Sequence, residues 1–188
     1  MKKNQVVLIY GLPASGKYTM AKKVQEQCGG VLFDNHYFYD MFEGLTEVPE
    51  EDHYKYFGKV DAVRKAFLDV LRSFYPKKRH VRYIFTSGIL RGEKLPVVLQ
   101  KFARDIDADF IPIELSVRAD VLLARCDTEQ RRKRRGKLTD KKKYDGLLKQ
   151  SMPNVYHSRS ANRFVLNSSD LSLEETFKQI KKHLKKFD

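Results

Sequence analysis

Val6-Val7-Leu8-Ile9-Tyr10 running into Gly11-Leu12-Pro13-Ala14-Ser15-Gly16-Lys17-Tyr18-Thr19 is the stretch that decides the fold of this 188-residue chain. Residues 5–10 form a run rich in β-branched side chains and closed by a glycine, as a strand buried on both faces does. From Gly11 to Lys17 the residues match G-x-x-x-x-G-K. Glycines in such a loop let backbone amides turn inward and form a nest around phosphate oxygens. A helix beginning near Gly16 adds the positive end of its dipole. Lys17 reaches the terminal phosphates as a compact point charge. Met20, Ala21, Val24 and Cys28 then recur at helical spacing, so the motif lies between a buried strand and an amphipathic helix, the context it requires. Gly11, Leu12, Pro13, Ala14, Ser15, Gly16, Lys17, Tyr18 and Thr19 are therefore expected to bind a nucleoside triphosphate, ATP first among them.

One position departs from the pattern. Where serine or threonine would present a hydroxyl to Mg²⁺, this chain has Tyr18, whose phenol oxygen lies too far from the backbone to take that place. Thr19 follows, where a hydroxyl can meet the α-phosphate, so nucleotide binding is expected to survive. Either Mg²⁺ is held through water by a carboxylate such as Asp34, or turnover is weak.

Outward from the loop, apolar runs alternate with helical stripes. Strands are expected at 31–33, 81–86, 110–117 and 163–167. A helix over about 52–74 is expected to bury Tyr56, Val60, Val63, Phe67, Leu71 and Phe74. Another spans about 93–106, with Pro96 in its first turn, where proline is tolerated. Ala119, Leu122, Leu123 and Cys126 mark a third. The last opens with the capping box Ser172-x-x-Glu175 and is expected to bury Leu173, Phe177, Ile180 and Leu184. This alternation predicts an α/β fold, a doubly wound parallel sheet in a single domain over residues 1–188.

Composition narrows the class. With 41% apolar and 32% charged residues, folding is expected throughout. No stretch approaches the roughly 18 apolar residues of a membrane span. Lys2 and Lys3 precede an apolar run too short for a signal peptide. A soluble, cytoplasmic protein is expected, with Cys28 and Cys126 as reduced core residues. The net charge of +13 is concentrated: residues 131–143 hold nine basic side chains and one acid, Asp140. A run of this kind is either a solvated loop or a clamp for anions.

With these residues placed, the chain resembles the small P-loop NTPase kinases, the adenylate, shikimate and gluconate kinases and chloramphenicol phosphotransferase. It is also similar to little-characterised bacterial AAA-family ATPase and shikimate-kinase-like proteins. Their loop reads A-S-G-K-x-T, as in Ala14 to Thr19. Their N-H-x-x-x-D matches Asn35, His36 and Asp40, and their T-E-N-R lies where this chain has Thr128-Glu129-Gln130-Arg131. The resemblance implies a three-layer α/β/α fold with five parallel strands in the order 2-3-1-4-5 and a lid over about 131–143. It implies transfer of the γ-phosphoryl group of ATP, with Mg²⁺, to a small hydroxylated acceptor.

Lys17 would then be catalytic, with Asp34 or Asp40 as the base and Arg125 and Arg131 offsetting charge from the lid. Asp34 is also the candidate metal ligand. Asn35, His36, Arg64, Ser87 and Gly88 are candidate acceptor contacts, and Asn167 to Asp170 a resting place for adenine. Plainer roles stand beside these. The aspartates could cap a helix, His36 could anchor a loop, and Arg64 could be an exposed helix arginine. Two other function classes remain: a nucleic-acid kinase or binder, suggested by the basic run and by Tyr37, Phe38 and Tyr39 as stacking surfaces, and a nucleotide-binding regulator with little turnover, suggested by Tyr18.

Overall fold

Burial along the first strand sets the architecture. The structure, a computed structural model, describes residues 2–42, 45–49, 53–77, 80–88, 95–132, 139–152 and 155–188. In it β1 (Asn4–Gly11) is buried from Gln5 onward, which requires neighbours on both edges and layers on both faces. β2 (Val31–Phe33), β3 (Arg82–Gly88), β4 (Ala108–Ser116) and β5 (Phe164–Asn167) complete a five-stranded sheet in the order β2-β3-β1-β4-β5. Every neighbouring pair is parallel. The register sets Gly11 level with Gly88 of β3, and Tyr10 between Ser87 of β3 and Glu114 of β4.

Alternation along β1 feeds two cores. Val7 and Ile9 pack with Met20, Ala21 and Val24 of α1 (Lys17–Cys28) and with Phe177, Ile180 and Leu184 of α8 (Leu173–Leu184). Val6, Leu8 and Tyr10 pack on the other face with Leu68 of α3 (His53–Phe74) and with Leu95, Leu99, Phe102 and Ala103 of α4 (Leu95–Asp105). Each such aliphatic side chain contributes about 1.5–3 kcal/mol on leaving water. Of the two cysteines, both free, Cys126 is buried and Cys28 half-buried. No described helix is long and apolar enough to cross a membrane.

Two expected core residues lie outside the core. Phe74 is 82% exposed and Leu173 56% exposed. The fully buried stripe of α3 is Val60, Arg64 and Leu68. Val60 was expected, and the expected Phe67 and Leu71 pack partly buried against the same core. Arg64 joins because aromatic rings of α2 (His36–Asp40) accept an arginine there. Leu173 follows the cap residue directly, and Thr176 takes the inner place, its Oγ1 donating to the Ser172 carbonyl at 2.8 Å.

The basic run is not all loop. After α5 (Ala119–Cys126) and the short α6 (Glu129–Arg132), its last residues open α7 (Lys141–Ser151), capped by Asp140, whose carboxylate accepts from the Lys143 amide at 2.9 Å. Tyr144 and Leu148 of α7 join Leu12, Val117, Leu122 and Cys126 in a third core, with Ala14 packed against it. Lys133, Arg134, Arg135 and Lys137, and the expected first residues of the helices at 52 and 93, lie outside the described residues.

Candidate functional site

The loop between β1 and α1 is built from close contacts. A side-chain carbon on Gly11 would lie 2.6 Å from the Leu115 carbonyl and 2.9 Å from Ser15 Oγ, so only glycine lets β4 come this near. Gly16 has φ 89° and Ala14 φ 61°. The left-handed conformation disfavours alanine by roughly 1 kcal/mol, and strain of this kind gathers at ligand sites. Carbonyls of the loop are committed within the protein, that of Gly16 to the Met20 amide at 3.0 Å. The Leu12 carbonyl accepts from the Ser15 amide at 3.1 Å and from Lys17 Nζ at 3.3 Å. The Pro13 carbonyl accepts from the Tyr144 hydroxyl.

Helix starts differ in a telling way. α7 is capped by Asp140, and α8 by a complete capping box of Ser172 and Glu175. α1 has neither a capping side chain nor an acid in its first turn. With no acid there, the positive end of its dipole suits a bound phosphate. Ser15 Oγ, in a residue 3% exposed, lacks a hydrogen-bond partner beside it. The Tyr18 ring is half-buried against the core formed with α8, so it serves packing.

At the end of β2, Asp34 is buried. Thr86 Oγ1 of β3 donates to Asp34 Oδ1 at 2.5 Å, and the His36 amide and Nδ1 lie 3.4 and 3.1 Å from the same oxygen. The Asn35 amide donates to Thr86 Oγ1 at 3.2 Å. Asp34, Asn35, His36 and Thr86 thus form one connected group, with Ser87 and Gly88 next along β3. Asp40, exposed at the end of α2, joins none of these bonds.

Arg64 is buried rather than exposed. Its Nη1 pairs with Asp61, its Nη2 reaches the Tyr39 hydroxyl at 3.4 Å, and its guanidinium lies 5.5 Å from the Phe38 ring centre and 6.0 Å from that of Tyr39. Phe38 also packs edge-on to Phe67. Of the three aromatic residues considered for base stacking, only Tyr37 is exposed.

Arg125 and Arg131 flank the far side. Arg125 Nη2 donates to the Ser168 carbonyl at 3.4 Å, beyond β5. Arg131 Nε donates to the Cys126 carbonyl at 3.0 Å, which caps α5, and burial pushes its guanidinium below its ordinary range. Arg132 pairs with Asp127 at 2.6 Å.

Several buried polar atoms have no hydrogen-bond partner. Among the described residues they are Ser15 Oγ, Asn35 Oδ1, Arg64 Nε, Ser168 Oγ and Arg72 Nε. Arg72 Nε lies 2.8 Å from the Asp105 carboxylate, so its charge is met. The other four border the carboxyl ends of the strands, where open α/β sheets bind ligands. No group of three or more His, Cys, Asp or Glu gathers among the described residues. A single carboxylate such as Asp34 fits only an ion that arrives with phosphates and keeps most of its water, as Mg²⁺ does.

Sequence reading missed Tyr144 and a second buried group. Tyr10 OH donates to Glu114 Oε2 at 3.1 Å, Arg163 Nη2 donates to it at 2.7 Å, and His157 Nδ1 is 3.0 Å from Oε1. The Ser158 amide donates to Tyr10 OH at 3.2 Å, which ties the segment after α7 to β1. A lone acid in the apolar run of β4 was the available signal.

Comparison with known proteins places the fold. No protein-family model matches the chain, and no curated protein matches its sequence. Solved structures do. A candidate kinase from Chloroflexus aurantiacus J-10-fl is 16% identical, with TM-score 0.68 and 100% of both chains covered. The shikimate kinase of Bacteroides thetaiotaomicron is 16% identical, with TM-score 0.59 and 96% of this chain and 98% of that one covered. The APS kinase of Mycobacterium tuberculosis, solved with AMPPNP and APS, is 15% identical, with TM-score 0.55 and 98% and 99% covered. The chain has the fold of the P-loop small-molecule kinases.

Proposed function

We propose that this chain is a kinase that transfers the γ-phosphoryl group of ATP to a hydroxyl of a small metabolite. The observation that carries the reading is the set of four partnerless polar atoms at the carboxyl edge of the sheet, beside the start of α1, which has no capping side chain. Buried polar atoms of native proteins find partners in protein, water, an ion or a ligand, and a bound substrate would complete these. The kinase fold of the structural neighbours supports it.

Each residue then has a task. The loop from Gly11 to Thr19 cradles the phosphates, and Lys17, released from the Leu12 carbonyl, follows the γ-phosphoryl group. Asn35 Oδ1 accepts from an acceptor hydroxyl, and Arg64 Nε donates to an acceptor oxygen. Because Asp61 already meets the charge of Arg64, a neutral polyol suits this place as well as an anion. Asp34, oriented by Thr86 and His36, takes the proton of the attacking hydroxyl as its oxygen bonds to the γ-phosphorus. The bond from that phosphorus to the bridging oxygen breaks, and ADP leaves. Arg125 and Arg131 offset the charge that develops in transfer, which requires Arg131 to leave the end of α5. Mg²⁺ bound with the triphosphate would neutralise phosphate charge, held by the phosphates and, through water, by Asp34.

The test is a thermal-shift screen of hydroxylated metabolites with and without a non-hydrolysable ATP analogue, followed by transfer of labelled γ-phosphate to each hit. At least one acceptor should stabilise the protein further in the presence of the analogue. Asp34→Asn should slow its phosphorylation by about 10²–10⁴-fold. Undiminished transfer in that variant would remove Asp34 from the mechanism, and no stabilisation by the analogue would remove the nucleotide.

A further inference from the structure

We propose that Tyr144, on α7, is a positioning residue for the triphosphate: its hydroxyl holds the Pro13 carbonyl and so keeps the phosphate loop in its strained, anion-binding shape. The inference rests on the phosphate-loop reading and extends it to a residue 131 positions away in sequence.

Three observations converge. First, Tyr144 is fully buried, and its hydroxyl meets a backbone carbonyl of the loop itself. Burial holds the phenol well above its ordinary titration range, so it stays a donor at any physiological pH. Second, the next residue in the loop, Ala14, is in the left-handed conformation at φ 61°. A non-glycine residue persists there only where its surroundings enforce it, and the clasp on Pro13 is one peptide away. Third, the loop's own side chains Leu12 and Ala14 pack into the core that Tyr144 and Leu148 help to form. α7 therefore grips the loop both by a polar bond and by apolar contact. An anion nest works only while its carbonyls face away from the phosphate, and turning one inward sets a negative dipole against it. Pro13 has no amide hydrogen to give, so its carbonyl is its whole polar contribution to the loop.

This also gives the basic run a second role. α7 begins at Lys141, the start of the run's last three lysines, so displacement of this helix would loosen the loop.

The test compares Tyr144→Phe with Leu99→Ala, which weakens the separate core on the α4 face. Affinities for ATP and for adenosine are measured by calorimetry, melting temperatures by calorimetric scans, and the β-phosphate environment by phosphorus NMR. Tyr144→Phe should weaken ATP binding about tenfold, leave adenosine affinity as it is, and move the β-phosphate resonance. Leu99→Ala should lower the melting temperature while keeping both affinities. Equal ATP affinity in Tyr144→Phe and the parent would overturn the proposal. So would parallel loss of ATP and adenosine affinity, or a fall in ATP affinity in Leu99→Ala to match. If Tyr144→Phe does not fold, Tyr144→His, which keeps a ring N–H donor, should bind ATP more tightly than Tyr144→Leu, and equal affinities there would overturn it. Failure of the parent protein itself to bind ATP would strike the phosphate-loop reading instead.

Discussion

Arg82 and Arg64 are both buried, at 5% and 8% exposure, yet their surroundings differ. Arg82 lies at the amino end of β3. Its Nε donates to Gln5 Oε1 at 2.6 Å, its Nη2 to Asp188 at 2.6 Å and its Nη1 to the Cys28 carbonyl. All three nitrogens are used, and the arginine ties together β1, β3, the end of α1 and residue 188. Arg64, packed under α2, has a partner for each Nη but none for Nε, and two aromatic rings beside it. The two ends of one sheet thus handle the same buried charge in opposite ways. Closure of every bond marks a structural arginine. An unpaired Nε in a buried guanidinium marks one with a donor left for a ligand.

That contrast can be broken by substitution. Arg82→Ala should have the larger effect, about 1–3 kcal/mol of stability in urea unfolding, since it leaves the buried Gln5 side chain and the Cys28 carbonyl without their donor. ATP affinity of the folded protein should not change. Arg64→Met should behave the other way. Asp61 is half-exposed and can turn to water, so stability should move little, while the KM for the acceptor rises about tenfold, worth about 1.4 kcal/mol. Steady-state kinetics and an unfolding curve on the same preparation separate the cases. If Arg64→Met unfolds as readily as Arg82→Ala with an unchanged KM, the distinction between the two ends fails.

A smaller effect sharpens the structural side. His183 of α8 stacks on Phe164 at 4.6 Å, and burial lowers its pKa below 6.5. The folded state therefore binds its proton less readily than the unfolded chain. Its contribution is present above about pH 6.5 and is lost as the pH falls through the lowered folded value. His183→Phe should flatten the pH dependence of the melting temperature on the acid side, with no effect on nucleotide affinity. An unaltered acid limb would assign that dependence to other groups.

Much of this was legible in the sequence, for identifiable reasons. The strand order followed from the kinase resemblance, and the position of β1 from its unbroken apolar run. The glycine loop was visible because its chemistry is local. What stayed hidden depends on partners far away. α7 was masked by Lys141-Lys142-Lys143, although Asp140 and the spacing of Tyr144, Leu147, Leu148 and Ser151 carried a cap and an inner face. For Arg64, an acceptor contact and an exposed helix arginine stood side by side, because the rings that shelter it come from α2. The engagement of Asp34 by Thr86 depends on β2 lying beside β3, which no local pattern states. Phe74 and Leu173 were misplaced because each stands at a helix end, where periodicity continues but the core does not.

On the proposed reading, the carboxyl edge of the sheet is open to receive a triphosphate. Calorimetric titration of a non-hydrolysable ATP analogue into the parent protein and into Lys17→Ala tests it most directly, with a melting curve for each. The parent should bind saturably and Lys17→Ala at least about tenfold more weakly, about 1.4 kcal/mol, at an unchanged melting temperature. Equal affinity in the two proteins would contradict it, as would a parent that does not bind the analogue at all.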